Sequence, residues 1–480
     1  MTRKLLEAVE DWKLEAKLED NDRYFYHVRV VDRLESGSRS YVIGRKGTGK
    51  TAICEYLNKK KGHDVFSQKL SFKNFPFNTL YELTNEKYNH PNQYITLWKY
   101  VIYSSIAKLM IKNQNINQSI REKLEEVYKL DIPTSLSSNV SRWTGVNFNL
   151  SVLDIGGIGA GADKQTGKNN TEWIDRVELL ERLLLEHLDD SNYIIIFDEL
   201  DEDYKDIIIS DRHSQYTALL TSLFKSVQDI KAVFRESNPK ILPIIFLRDD
   251  IYDLLQDPDK TKWNDLRVNL DWDENNIKNM LAFRLSKALN SSGKILTFNQ
   301  AWHSLFVNKD VGYGNRQSKR TSSFKYITRS TQLRPRDYIR YLQVAAEETL
   351  SHPSQTKITP TTILRVDKAF SNYLRSELED EIHGVLPEIK GILDIFSKLR
   401  KQTLSIQEFS KEYEKAIENG ELVKRSTEFV LRILFHFSVI GNQPKQKNIQ
   451  VFRYSRPDAN LNLKEHIVVH RGLYKSLQIL

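Results

Sequence analysis

Eight consecutive residues, Gly44-Arg45-Lys46-Gly47-Thr48-Gly49-Lys50-Thr51, have the types and spacing needed to wrap the phosphates of a nucleotide. They fit the pattern G-x-x-x-x-G-K-[ST], and each position has a chemical reason. Gly44, Gly47 and Gly49 let the backbone turn tightly, so that N–H groups from Lys46, Thr48 and their neighbours aim at phosphate oxygens. Lys50 is placed to reach the β- and γ-phosphates, and the Thr51 hydroxyl to ligate Mg²⁺. The apolar run Tyr41-Val42-Ile43 predicts a strand before the loop, and Ala52 to Leu57 a helix opening at Ala52 after it. The positive end of that helix favours an anion. A glycine turn with incidental lysine and threonine is the competing explanation, and the strand and helix on either side count against it.

A phosphate loop needs a partner carboxylate at the end of a buried strand. Asn192-Tyr193-Ile194-Ile195-Ile196-Phe197-Asp198-Glu199 supplies one, because four β-favouring apolar residues in a row predict a strand covered on both faces. Asp198 is then the candidate Mg²⁺ holder and Glu199 the candidate base that polarises a water for attack on the γ-phosphate. A third apolar run, Ile244-Ile245-Phe246-Leu247, ends in Arg248-Asp249-Asp250. Arg248 is a candidate sensor of the γ-phosphate; its alternative is an ion pair with Asp249, Asp250 or Glu199. Pro243, just before the run, suits the first residue of a strand.

The rest of the composition narrows the class. At 480 residues, 40% apolar and 28% charged, the chain suits a globular protein of about two to four domains. No apolar run approaches the ~20 residues of a membrane span, and Met1 to Glu7 lack the apolar core of a signal peptide. Cys54 is the sole cysteine, which removes intrachain disulfides, zinc fingers and iron–sulfur sites and suits a reducing cytoplasm. The expectation is a cytoplasmic protein with no membrane partner. A formal charge of +8 permits contact with nucleic acid without demanding it.

Four segments are expected: a lead-in over 1–40, a nucleotide-binding core over 41–274, a helical lid over 275–380 and a winged-helix-like domain over 381–480. The lead-in has Leu5, Val9, Trp12 and Ala16 at helical spacing; Tyr24, just beyond, could stack on the adenine base or pack in the core. Strands alternate with helices through the core, which predicts an α/β fold with a mostly parallel sheet. Between Arg316 and Arg340 there are eight Lys or Arg and one acid. Arg334 or Arg336 could face the nucleotide from the lid; a phosphate-backbone contact and a solvated face are the alternatives. The last segment reads as helices over 387–399, 405–419 and 426–439, then a hairpin of 449–454 with 466–469. Its third helix is apolar nearly all round (Phe429, Val430, Leu431, Ile433, Leu434, Phe435), so it suits a buried or partner-binding role better than a DNA major groove.

Two further strings are weak. Gly156 to Ala162 resembles a dinucleotide loop but runs into the polar 163–170, and is expected to be a loop or hairpin. His466 and His470 flank an apolar run with no third metal ligand in view.

Taken in order, GRKGTGKT, FDELDED, FLRDD and LRPRDYI resemble a bacterial family of P-loop ATPases of the additional-strand class, near the AAA+ and STAND groups and often encoded in phage-defence loci. The resemblance implies ATP and Mg²⁺ as cofactors, binding by Lys50 and Thr51, metal handling by Asp198, catalysis by Glu199, sensing by Arg248 and a lid arginine at Arg334 or Arg336. It implies a homo-oligomeric ATP-driven switch acting on an effector protein. A nucleic-acid-binding ATPase using the basic patch is the alternative. An LSGGQ-like signature and a second RecA-like domain, which an ABC ATPase and a helicase respectively need, are not evident.

Overall fold

The computed structural model describes residues 2–60, 62–73, 75–83, 92–132, 135–145, 148, 150–153, 173–201, 213–235, 240–314, 317–444 and 449–479. The Gly156 to Ala162 string, 163–170, Glu202, Asp203 and Arg316 lie outside the described residues. The chain divides into two units: His27–Arg45 with Lys50–Leu270, and Met1–Tyr26 with Lys46–Gly49 and Asp271–Leu480.

The first unit is built on five parallel strands, β1 (Tyr41–Ile43), β2 (Val65–Ser71), β3 (Asn192–Asp198), β4 (Lys240–Leu247) and β5 (Arg267–Asn269), in the order β2-β3-β4-β1-β5. β4 therefore separates the strand before the phosphate loop from the strand that ends in Asp198. That is the arrangement from which the additional-strand class takes its name. β3 is buried along nearly its whole length, as its run of isoleucines predicts for a central parallel strand. Helices Lys50–Lys59, Ile95–Lys112 and His213–Val233 pack on the sheet, and Trp173–His187 packs on Ile95–Lys112. The first buries Ile53, Cys54 and Leu57, an i, i+1, i+4 stripe.

Pro243 departs from expectation. It is the fourth residue of β4, opposite Ile195, and not its first. The ladder tolerates it for a geometric reason. Ile245 donates its N–H toward Ser40 on the β1 side, so the residue two before it faces the same way. β1 pairs only from Tyr41, opposite Ile245, so the hydrogen that proline lacks falls before β1 begins.

In the second unit, helices Glu274–Leu289, Phe298–Leu305 and Pro335–Leu350 pack with the N-terminal helix Thr2–Glu10, and Pro360–Ile382 packs on Pro335–Leu350. That first helix stops short of Trp12 and Ala16. A two-stranded hairpin, β6 (Val311–Tyr313) with β7 (Lys319–Thr321), interrupts a region whose sequence reads as helical throughout. The chain then runs Ile389–Leu399, β8 (Thr403–Leu404), Ile406–Glu418, Thr427–His436, β9 (Ile440–Gln443) and β10 (His466–Val469), with an antiparallel sheet ordered β8-β10-β9. This is the helix–strand–helix–helix–hairpin order of a winged helix. The hairpin's first strand is 440–443, not 449–454. Ser438, at φ 55°, turns the chain straight from the third helix into β9, and Val451 keeps only a single bridge to Asn442.

Candidate nucleotide site

Parallel pairing brings the carboxyl ends of β1, β3 and β4 to one edge of the sheet: Ile43 is level with Leu247, and Phe197 with Ile245. Gly44, Asp198 and Arg248 follow or end these strands, at the edge where open α/β sheets bind ligands. Gly47 and Gly49 have φ of 82° and 100°, values that a side chain would strain. Lys50 opens the helix Lys50–Lys59, and its Nζ donates to the carbonyls of Gly44 (2.7 Å) and Arg45 (3.0 Å). Burial lowers its pKa, against the pull of Asp201 and Asp249. An ammonium held at a desolvated loop is stabilised further by an anion.

Asp198 is buried and meets an unanticipated partner. Lys69 of β2 places Nζ 2.9 Å from Asp198 Oδ2 and 2.7 Å from Glu55 Oε1. Burial alone would lower the lysine's pKa; the charge of Asp198 and the hydrogen bond to Glu55 hold it above the ordinary lysine value. The Cys54 thiol is pushed up by burial and then by Asp198, so the helix face bearing Cys54 lies at that carboxylate. Thr51, three residues earlier, shares the face. A hydroxyl and a carboxylate so arranged suit Mg²⁺, which takes few protein oxygens and fills its octahedron with water and phosphate. When bound, the ion would neutralise phosphate charge, with Thr51 and Asp198 holding it. Among the described residues, no cluster of three or more His, Cys, Asp or Glu offers a competing metal site.

Glu199 sits just past β3 with φ 61°, a left-handed conformation that costs a non-glycine residue energy and marks functional positions. Its Oε2 accepts a hydrogen bond from the Ser71 hydroxyl at the end of β2. Arg248 makes a two-pronged contact with Asp250, Nε to Oδ1 at 2.9 Å and Nη2 to Oδ2 at 2.6 Å, and lies 3.6 Å from Asp201. The ion-pair alternative therefore holds for Asp250. The sequence does not single out Lys69 and Ser71; the available signal is a lysine two residues before the end of the strand Val65–Ser71.

In the second unit, the loop segment Lys46–Gly49 contacts the helix pair Pro335–Leu350 and Pro360–Ile382. Arg334 is 1% exposed, with Nε 3.2 Å from Asp337, Nη1 3.1 Å from Glu381 and 3.5 Å from the Lys46 carbonyl. Arg336 donates its backbone N–H to the Gly47 carbonyl (3.4 Å) and shares Glu377 with Lys46, at 3.1 and 3.6 Å. Trp272 Nε1 donates to the Thr48 carbonyl at 2.9 Å. Tyr24 is buried edge-on to Trp12, with the Arg284 guanidinium 4.9 Å from its ring centre, which is the core-packing alternative.

The loop, the acid-ended β3 and the strand order make an α/β core of the P-loop type, followed by a helical C-terminal region. Residues 275–379 match the FunZ-associated C-terminal helical domain. Over 495 aligned residues the chain is 23% identical to an 80.3 kDa protein assigned to transposon gamma-delta in Escherichia coli (strain K12), covering 93% of this chain. The chain spans 63% of that relative's length. Among solved structures, the Drosophila ORC bound to DNA aligns over 99% of this chain and 91% of its own, at 11% identity and a TM-score of 0.30. Cdc6p from Pyrobaculum aerophilum aligns over 98% and 96%, at 10% identity and a TM-score of 0.28. No described helix is long and apolar enough to cross a membrane.

Proposed function

We propose that the chain binds and hydrolyses ATP and works as a nucleotide-dependent switch that regulates a partner effector. The observation that carries this reading is the sheet edge itself. Lys50 follows β1, Asp198 and Glu199 close β3, and Arg248 follows β4, so phosphate binder, metal holder, base and sensor come from adjacent strands. Lys50 and the loop N–H groups bind and orient the phosphates. Glu199, once released from Ser71, takes a proton from the attacking water. Arg248 answers the γ-phosphate by giving up Asp250 for it. Arg336, less buried than Arg334 and tied to Gly47, is the better lid candidate.

Assembly into a homo-oligomer, the effector partner and a role in antiviral defence rest on the family resemblance. The likeness to a transposon-assigned protein gives the nucleic-acid alternative comparable support. The test is mass and ATP turnover of wild type, Lys50→Ala and Glu199→Gln, each with and without ATP. The switch predicts ATP-driven assembly, loss of turnover in both variants and trapping of the assembly by Glu199→Gln. Binding of ATP by wild type without turnover or change of mass sinks it.

A further inference from the structure

The second unit carries a cluster of cations that the nucleotide site does not use. Arg329 places its guanidinium 4.3 Å from the centre of the Tyr313 ring, and Arg471 lies 5.8 Å from the same ring and 5.3 Å from that of Tyr326. Tyr313 ends β6 directly opposite Lys319 of β7, so the lysine projects from the same face of the hairpin. Lys475 follows Arg471 by four residues and is exposed, as are Lys319 and Arg329.

Two guanidiniums on one ring repel each other, and among the described residues neither has a carboxylate within salt-bridge range. Asp367, whose oxygens accept the hydroxyls of Tyr326 (2.5 Å) and Tyr341 (2.7 Å), is one nearby acid that feels the charges of Arg471 and Lys475, and it offsets only part of a cluster of four cations. The pKa of Arg329 is pushed down, first by the protein around it and then by the charge of Arg471. Each guanidinium lies over a tyrosine ring and also interacts with a tyrosine hydroxyl, and its five-donor fork has N–H groups to spare for phosphate oxygens.

We infer that Arg329 and Arg471, seated on Tyr313 and flanked by Lys319 and Lys475, form a clamp for the phosphate backbone of duplex DNA. A polymer carrying a phosphate every 3.4 Å along each strand supplies the repeated anions that such an array lacks. Duplex fits better than single strand, because the tyrosine faces are occupied by guanidiniums and do not offer an open platform for bases. The third helix of the winged-helix domain is a poorer DNA face. Its exposed Arg432 is neutralised by Glu428, and Val430, Leu431, Leu434 and Phe435 are buried. The clamp stands whether or not the chain hydrolyses ATP.

The experiment measures anisotropy of a short labelled duplex of arbitrary sequence across a salt series, without nucleotide. The full chain is compared with Arg329→Ala/Arg471→Ala, Lys319→Glu and the control Arg432→Ala, and thermal melting checks each fold. The double variant should bind about tenfold or more weakly, with the slope of log affinity against log salt reduced by about two. Lys319→Glu, on an exposed hairpin position, should weaken binding severalfold even if the double variant fails to fold, and Arg432→Ala should leave it unchanged. The inference is overturned if wild type ignores duplex at low salt. It is equally overturned if a folded double variant or Lys319→Glu binds like wild type, if Arg432→Ala costs as much, or if a single strand or inorganic polyphosphate binds more tightly than duplex.

Discussion

Lys69 Nζ lies 2.9 Å from Asp198 Oδ2, so the candidate metal-holding carboxylate is already half of a buried ion pair. Glu55 completes the group at 2.7 Å, and the three side chains are 5–15% exposed. Removing one partner of such a pair leaves an uncompensated buried charge, at a cost of about 3–5 kcal/mol. Lys69→Met should therefore lower stability in urea unfolding by that order, and Lys69→Met/Glu55→Gln should recover part of the loss. A single variant as stable as wild type would show that the lysine holds neither acid.

The Ser71 hydroxyl holds Glu199 toward the end of β2. If Glu199 is the base, this bond competes with its grip on water. A hydrogen bond to a charged group contributes about 1.5–3 kcal/mol, and only part of that is lost in reaching the active pose. Ser71→Ala should raise kcat by roughly two- to tenfold. Unchanged or lower turnover, with ATP affinity intact, would make Ser71 a support of the active geometry instead.

The candidate phosphate loop stands out in the sequence because its chemistry needs contiguous residues: Gly47, Gly49, Lys50 and Thr51 would act through one turn of backbone. β3 was legible because burial on both faces demands an unbroken apolar run. Lys69 and Ser71 were not, since they reach Asp198 and Glu199 through the register of β2 on β3, a relation between segments more than a hundred residues apart. The same holds for β9. Its strand is set by the turn at Ser438 and by pairing with β10, while the more apolar Val451-Phe452 stretch was the stronger local signal. Arg334 and Arg336 are two apart in sequence, yet only tertiary contacts separate a fully buried arginine from one that is about a quarter exposed.

Those two arginines should behave differently. Arg334 serves Asp337 and Glu381 with all three side chains 6% exposed or less, so Arg334→Ala should cost about 3–5 kcal/mol in unfolding free energy. Arg336 and Glu377 are 28% and 19% exposed, and Arg336→Ala should cost about 1 kcal/mol or less. If Arg336 serves the nucleotide, its loss should instead appear as weaker ATP binding in calorimetry. The reverse pattern would exchange the roles of the two.

Asp189 gives the start of β3 a pH signature. It accepts from Ser191 Oγ (2.6 Å) and Tyr193 OH (2.7 Å). Burial would raise its pKa, but the bonds from Ser191, Asn113 and Tyr193 outweigh it and hold the value down to about 2. A carboxyl depressed in the folded state contributes stability above its unfolded pKa and loses it as pH falls through the folded value. The stability gap between wild type and Asp189→Asn should thus be constant above about pH 5 and shrink progressively toward about pH 2. A gap independent of pH across that window would place the carboxylate outside the network.

Glu199 offers a test of the backbone as well as of the chemistry. At φ 61° the residue is in the left-handed region, where any Cβ crowds the following carbonyl at about 1–2 kcal/mol. Glu199→Ala and Glu199→Gly both delete the carboxylate and its bond with Ser71, so those losses cancel between them. Alanine keeps the crowding and glycine relieves it. At an unstrained position glycine is the less stable of the two by roughly 0.5–1 kcal/mol, through the freedom it restores to the unfolded chain. Here the order should reverse, with Glu199→Gly the more stable in chemical unfolding by up to about 1 kcal/mol. Both variants should lose turnover by about 10²–10⁴-fold if the side chain is the base. Glycine less stable than alanine would mean that Glu199 is not held in that conformation, and turnover surviving in both would remove it from the catalytic step.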